Sequence, residues 1–330
     1  MSDVAAWQMN PVTKSRVIQP AEKVATMGSC FAQHIAKHIA SVGLNYFITE
    51  TAPASLSAEE GRLNNYGVFS ARYGNVYTVR QLLQLYTRAF GEFTPHETVW
   101  ANGDSFVDAF RPQIQPNGFA SIEEANRSTA DHLKAVRAIF LESDWIVFTL
   151  GLTEAWRSKV DGSIFPIAPG ISGGNYDPSR YEFVNFTLDE VRQDLFDVIN
   201  KVTSLNPKVK FLLTVSPVPL MATFENRHVW VSTTYSKSVL RVCCDEAERK
   251  FNNVIYFPSF EIITSPSAGH SYYHDDLRQV TEQGVRHVMR VFSEHFIDPK
   301  QSRSNLRLAP AHSLKLRDSV VCDEEILDRI

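Results

Sequence analysis

The sequence predicts an α/β protein built as three layers, a mostly parallel sheet between two layers of helices, and three observations carry that expectation. Short, continuously apolar runs alternate with longer segments of helical periodicity, which is the order of βαβ units. The runs themselves, such as "WIVFTL" and "VKFLLTV", show no polar face, as strands covered on both sides do. At 330 residues, 44% hydrophobic and 21% charged, the chain can bury such a sheet and shows no compositional sign of disorder over most of its length.

Taken in order, residues 24–27 form a brief first strand. Gly28 permits a tight turn, Ser29 suits a helix cap, and Phe31, Ile35 and Ile39 repeat at helical spacing, so a helix is expected over 31–41. Cys30 then stands at a helix N-terminus, where the positive end of the dipole favours a thiolate. The same reasoning predicts strands over 145–150, 209–215 and 254–257, and helices over 78–90, 122–142, 188–205, 237–251 and 281–295. Asn102-Gly103 and Asp161-Gly162 mark β-hairpin insertions above the sheet. "APGISGGNYDPSR" (168–180) reads as a long loop near the site rather than a linker. One domain is expected over 1–298, followed by a polar tail over 299–330.

A net charge of −4 argues against a nucleic-acid partner. No apolar run approaches the length of a membrane span, and no secretory signal opens the chain. Four scattered cysteines, Cys30, Cys243, Cys244 and Cys322, lack C-x-x-C spacing, so reduced thiols, no metal and a cytoplasmic location are expected.

In a parallel sheet, ligands gather beyond the carboxyl ends of the strands. The loops there read "GSC", "GLTEAW", "SPVP" and "PSFEI", and "GHSYYHDDLRQVTEQG" enters the final helix. Gly28 to Ala32 spell GSCFA, and "TVSPVP" (214–219), "SKSVL" (236–240) and "FPSFEI" (257–262) follow in order. Over roughly residues 20 to 295 the chain thereby resembles the bacterial GSCFA-domain family, related to the SGNH/GDSL hydrolases.

The resemblance implies an SGNH-like α/β/α fold and an esterase or acyltransferase acting on acyl esters, carbohydrate acyl esters foremost, without a cofactor. It places Cys30 on the nucleophilic serine and Ser29 on the aspartate of Gly-Asp-Ser. "NNYG", Asn64 to Gly67, is similar to the second block, whose glycine amide joins the oxyanion hole. In the third block Thr153 stands on the oxyanion asparagine, with Glu154 beside it. In the last, Asp276 falls on the aspartate and Gln279 on the histidine, so another histidine must serve as base: His228 or His274, with His270 and His34 as further candidates. The same departures support an alternative, a non-catalytic SGNH-fold binding or scaffold module. A metal-dependent hydrolase using His270, His274 and Asp276 is a third reading. Ser29 in place of Cys30 as the nucleophile, Cys30 as a small buried hydrophobe and Ser29 as a cap alone also stay open. The sequence leaves the oligomeric state unknown.

Overall fold

The structure, a computed structural model, describes residues 6–266, 268 and 272–298. In chain order its elements are β1 (Val24–Gly28), α1 (Ala32–Ser41), α2 (Ala58–Leu63), α3 (Val79–Ala89), β2 (Val99–Asn102), β3 (Ser105–Asp108), α4 (Ile122–Glu142), β4 (Trp145–Leu150), β5 (Glu154–Ser158), β6 (Ile164–Phe165), β7 (Tyr181–Asn185), α5 (Leu188–Leu205), β8 (Lys210–Val215), α6 (Val229–Lys250), β9 (Val254–Tyr256), α7 (Ser259–Thr264) and α8 (Glu282–Phe296).

The central sheet has the order β1-β4-β8-β9, with every pair parallel. Side chains alternate across it, as a pleat requires. Ile146 and Phe148 of β4 join one core with residues of α3, α4, α5 and α6, whereas Trp145 and Val147 join another with α1, α7 and α8. Two helical layers thus cover the two faces, and this double burial explains the unbroken apolar runs.

The four expected core strands lie where the apolar runs place them, within a residue or two at each end. α4 and α5 match the expected 122–142 and 188–205. α6 begins at Val229, eight residues before the expected 237. Its first turns bury Ser232 and Ser236 while Trp230 and Val231 face outward, so no apolar stripe announces them. α2 and α7 have six residues each, too few for a period to register.

Both hairpin signals are realised. β2 and β3 pair through Gly103 and Asp104, with Gly103 at φ 58°. β5 pairs with β6 on one edge, and on the other with β7, which the sequence reading did not foresee. The 168–180 loop packs on the first hairpin: Gly174 N donates to Ala101 O at 2.8 Å. Among the described residues no helix is long and apolar enough to cross a membrane.

Candidate functional site

β1 ends in a constrained turn. Gly28 has φ +130°, and a Cβ there would stand against the Thr149 carbonyl oxygen and 2.7 Å from the Thr149 nitrogen. Only glycine lets the strand end pass this close to β4. The turn is anchored on both sides, since Ser29 N donates to Thr149 O at 3.0 Å and Val76 N donates to Gly28 O at 2.8 Å. α1 then opens with i→i+3 bonds from Ala32 N to Ser29 O and from Gln33 N to Cys30 O. Cys30 therefore sits at the mouth of the helix, 7% exposed and in no disulfide.

Ser29 is not a side-chain cap. The cap position falls at Phe31, and the Ser29 Oγ is buried without a hydrogen-bond partner among the described residues. The helix starts too late for that hydroxyl to reach its amides, and the Ser29 carbonyl serves instead.

Three further segments wall the turn. Gly151, just past β4, donates from N to Tyr77 O at 3.0 Å, and a Cβ on it would lie 3.2 Å from Ser29 Cβ. Asn75, 2% exposed, accepts from Gln33 Nε2 at 3.3 Å. Lys237 of α6 is buried and donates from Nζ to Gly151 O at 2.6 Å. Asn75, Gln33 and Lys237 were not singled out in the sequence. Gly74-Asn75, with Gly74 at φ +70°, was the one local signal, and Lys237 lies inside "SKSVL".

Other expected site residues have hydrogen bonds and turns of their own. Asn64 is the C-cap of α2, and its carbonyl accepts from Arg72 Nε at 2.9 Å. Gly67 follows at φ +76° with open space around its Cβ position. Neither makes a hydrogen bond to the Gly28 turn.

Thr153 is wholly buried and committed, its N–H to Ser236 Oγ at 2.9 Å and its hydroxyl to Asn185 Oδ1 at 2.7 Å. Glu154 accepts from Thr223 Oγ1 at 2.7 Å. Burial raises its carboxyl above the ordinary carboxylate range, against the hydrogen bonds from Thr223 and Ser232.

His228 is exposed and caps α6, its Nδ1 accepting from Trp230 N at 3.2 Å. His274 and Asp276 are exposed, and Asp276 closes a turn by accepting from Arg278 N and Gln279 N at 2.9 Å. Asp276 also lines a groove of about 320 Å³ with Trp230 at the start of α6. His34 packs on Phe31, and burial, then Lys37, lowers it to about 4. His270 and Cys322 lie outside the described residues. Among the described residues no three His, Cys, Asp or Glu side chains gather to hold a metal ion.

An aromatic groove of about 90 Å³ begins at Leu152, the residue after Gly151, and runs past Glu154 to Trp156. Phe224, 62% exposed, and Tyr176, 51% exposed, both meet the Trp156 ring edge-on. The other described cysteines are chemically quiet. Cys243 and Cys244 are fully buried, and that burial pushes the Cys243 thiol up to about 12 and Cys244 well above the ordinary thiol value.

Fold and site together define a three-layer α/β/α protein that presents a thiol at its first strand-to-helix turn. The chain belongs to the GSCFA family, whose model matches residues 23–292. No curated protein matches it. Among solved structures, it is similar to a carbohydrate esterase family 2 enzyme with its carbohydrate-binding domain, from Corynascus thermopiles (Myceliophthora fergusii). That likeness has 12% identity and a TM-score of 0.29, over 86% of this chain and 68% of the other.

Proposed function

We propose that this chain is an SGNH-type esterase or acyltransferase acting on carbohydrate acyl esters through Cys30. The observation that carries the reading is the turn: Gly28 brings β1 against β4 where no side chain fits, and Cys30 follows at the N-terminal mouth of α1. A thiol there is favoured as thiolate by the helix dipole. The aromatic groove that starts one residue beyond Gly151 supports an acyl or sugar face as its occupant.

The chemistry follows from those positions. The Cys30 thiol passes its proton to a histidine as sulfur bonds to the ester carbonyl carbon. The bond from that carbon to the alcohol oxygen then breaks, and the histidine returns the proton to the departing oxygen. The thioester next yields its acyl group to water or to an acceptor hydroxyl, by the same proton path in reverse. The Cys30 amide holds the oxyanion, with Asn75 in the place the sequence reading gave to Gly67. The base is one of His228, His274 and His270.

The test is turnover of an acetyl ester by the full chain, with mass spectrometry for an acyl group on Cys30, alongside the rate of iodoacetamide labelling. Cys30 is expected to label far faster than Cys243 and Cys244 below neutral pH. Cys30→Ala is expected to abolish turnover, a loss of about 10³-fold or more. The histidine whose alanine variant matches that loss is the base. If Cys30 labels no faster than the other two and no acyl group is trapped, the reading falls. The alternative then stands, a binding module with the same fold, which the full commitment of Thr153 to structural hydrogen bonds favours.

A further inference from the structure

A small cavity of about 30 Å³, lined by polar and apolar side chains, shares Asn75 with the wall of the site. It is also lined by Tyr73 and Val76, by α3, by Asp108 of β3 and the residues after it, by His132 of α4 and by Ile164 of β6. Around it the fold buries Arg72, Arg88, Arg111 and Asp108, with the partly buried Glu50 beside them.

All but one of these groups are fully engaged. Asp108 accepts from Arg111 Nε at 2.8 Å, from Thr129 Oγ1 at 2.7 Å and from Phe110 N at 2.9 Å. Arg111 also donates to Arg72 O and Ser128 Oγ, both at 3.0 Å. Arg72 reaches Asn64 O, Tyr66 Oη, Ile114 O and Gln115 Oε1. Glu50 accepts from Arg72 N and His132 Nδ1, both at 2.7 Å.

Burial, and then Arg111, lowers His132 to about 4, so it adds no charge near neutral pH. Three guanidinium groups therefore face two carboxylates.

Arg88 is the exception. It is 8% exposed and stacks on the Phe110 ring at 3.6 Å, and Asp108, which lines the same cavity, supports its charge through space, yet among the described residues its guanidinium has no hydrogen bond and no ion pair within 4.0 Å. Its Nε is sealed from solvent and unpartnered. Burying a guanidinium without hydrogen-bonded acceptors is costly, and ring stacking and the through-space attraction of Asp108 recover only part of that cost. Gln81, two turns earlier on the same face of α3, also lines the cavity. Its Oε1 is taken by Tyr77 N and Thr78 N at 3.0 Å, and its Nε2 has no acceptor among the described residues.

We infer that this cavity binds one small monovalent anion of the size of chloride, held by Arg88 and the Gln81 amide, which completes the buried charge cluster. Since a single water needs about 10–15 Å³, the space suits a halide and excludes an organic acid such as gluconate.

The test uses the full chain in two arms. Thermal unfolding in sodium chloride is compared with sodium gluconate at equal ionic strength, and a crystal soaked in sodium bromide is examined for anomalous scattering. Chloride is expected to raise Tm by about 2–4 °C in a saturable manner, with a bromide peak at hydrogen-bond distance from Arg88. Arg88→Met is expected to lose the chloride increment while matching or exceeding the wild-type Tm in gluconate, because it removes the unpaired charge. Equal Tm values in the two salts, or no bromide at Arg88, would overturn the inference. Both wild-type arms stand even where the variant fails to fold, and neither depends on esterase activity.

Discussion

Gly28 shows how narrowly the site is specified at the scale of one residue. Its φ of +130° and the Thr149 backbone beside it exclude any side chain. Gly28→Ala is therefore expected to destabilise the protein by roughly 3 kcal/mol or more, since strain and steric overlap act together; urea unfolding measures it, and a midpoint equal to wild type would contradict the account. Ser29 and Cys30 differ from each other for a reason also visible here. The Ser29 hydroxyl faces inward without a partner among the described residues, whereas Cys30 occupies the helix mouth. The GSC turn was legible in the sequence because glycine, a small polar residue and a helical period follow one another directly. Asn75 and Lys237 were not, because each reaches the turn from a distant segment through contacts that leave no local pattern.

Among the elements, those with a strong period and a cap were readable to the residue. α5 opens with Thr187 and Glu190 in a reciprocal capping box, and α4 opens with Ser121 capping Glu124 N. Thr187→Ala is expected to cost about 1 kcal/mol of stability without altering activity, as read by chemical denaturation with acetyl-ester turnover as control. An unchanged denaturation midpoint would show that the cap is dispensable. α6 is the counterexample: its first two turns bury serines that bond to the loops over the sheet, so its start follows from Thr153 and Thr223 rather than from its own period. β7 escaped notice for a related reason, since four of its five residues are only partly buried and no clean alternation marks it.

For the whole molecule, wholly and partly buried histidines set the response to pH. His34, His38 and His132 all stand near 4 in the folded protein, burial being the main cause in each, against 6.5 for the ordinary group. Between those values the unfolded chain binds more protons. Their stability contribution is thus complete above about pH 6.5 and is lost as pH falls toward 4. Fully buried His132 alone accounts for a loss on the order of 3 kcal/mol.

Below that range Asp108 continues the decline. Burial opposes its ionisation, but Arg111 and Arg88 hold it down to about 2, so its contribution disappears as pH drops from 3.8 to that value. Tm is expected to fall steadily from pH 7 to pH 4 in buffers of constant ionic strength, and a flat profile over that interval would refute the assignment.

The sequence by itself determined the α/β class, the four core strands, the longer helices and the GSC turn, because each is written in a local period or in a few adjacent residues. Which residues wall the GSC turn depends on tertiary packing. Asn64, Gly67, His228 and Asp276 are held in caps and turns of their own, while Asn75, Gly151 and Lys237 close on the turn from three separate segments. The buried arginine cluster belongs to the same category. Its charges come from α3, from β3 and from the segments around α2 and after β3, and their balance exists only once those pieces are packed together.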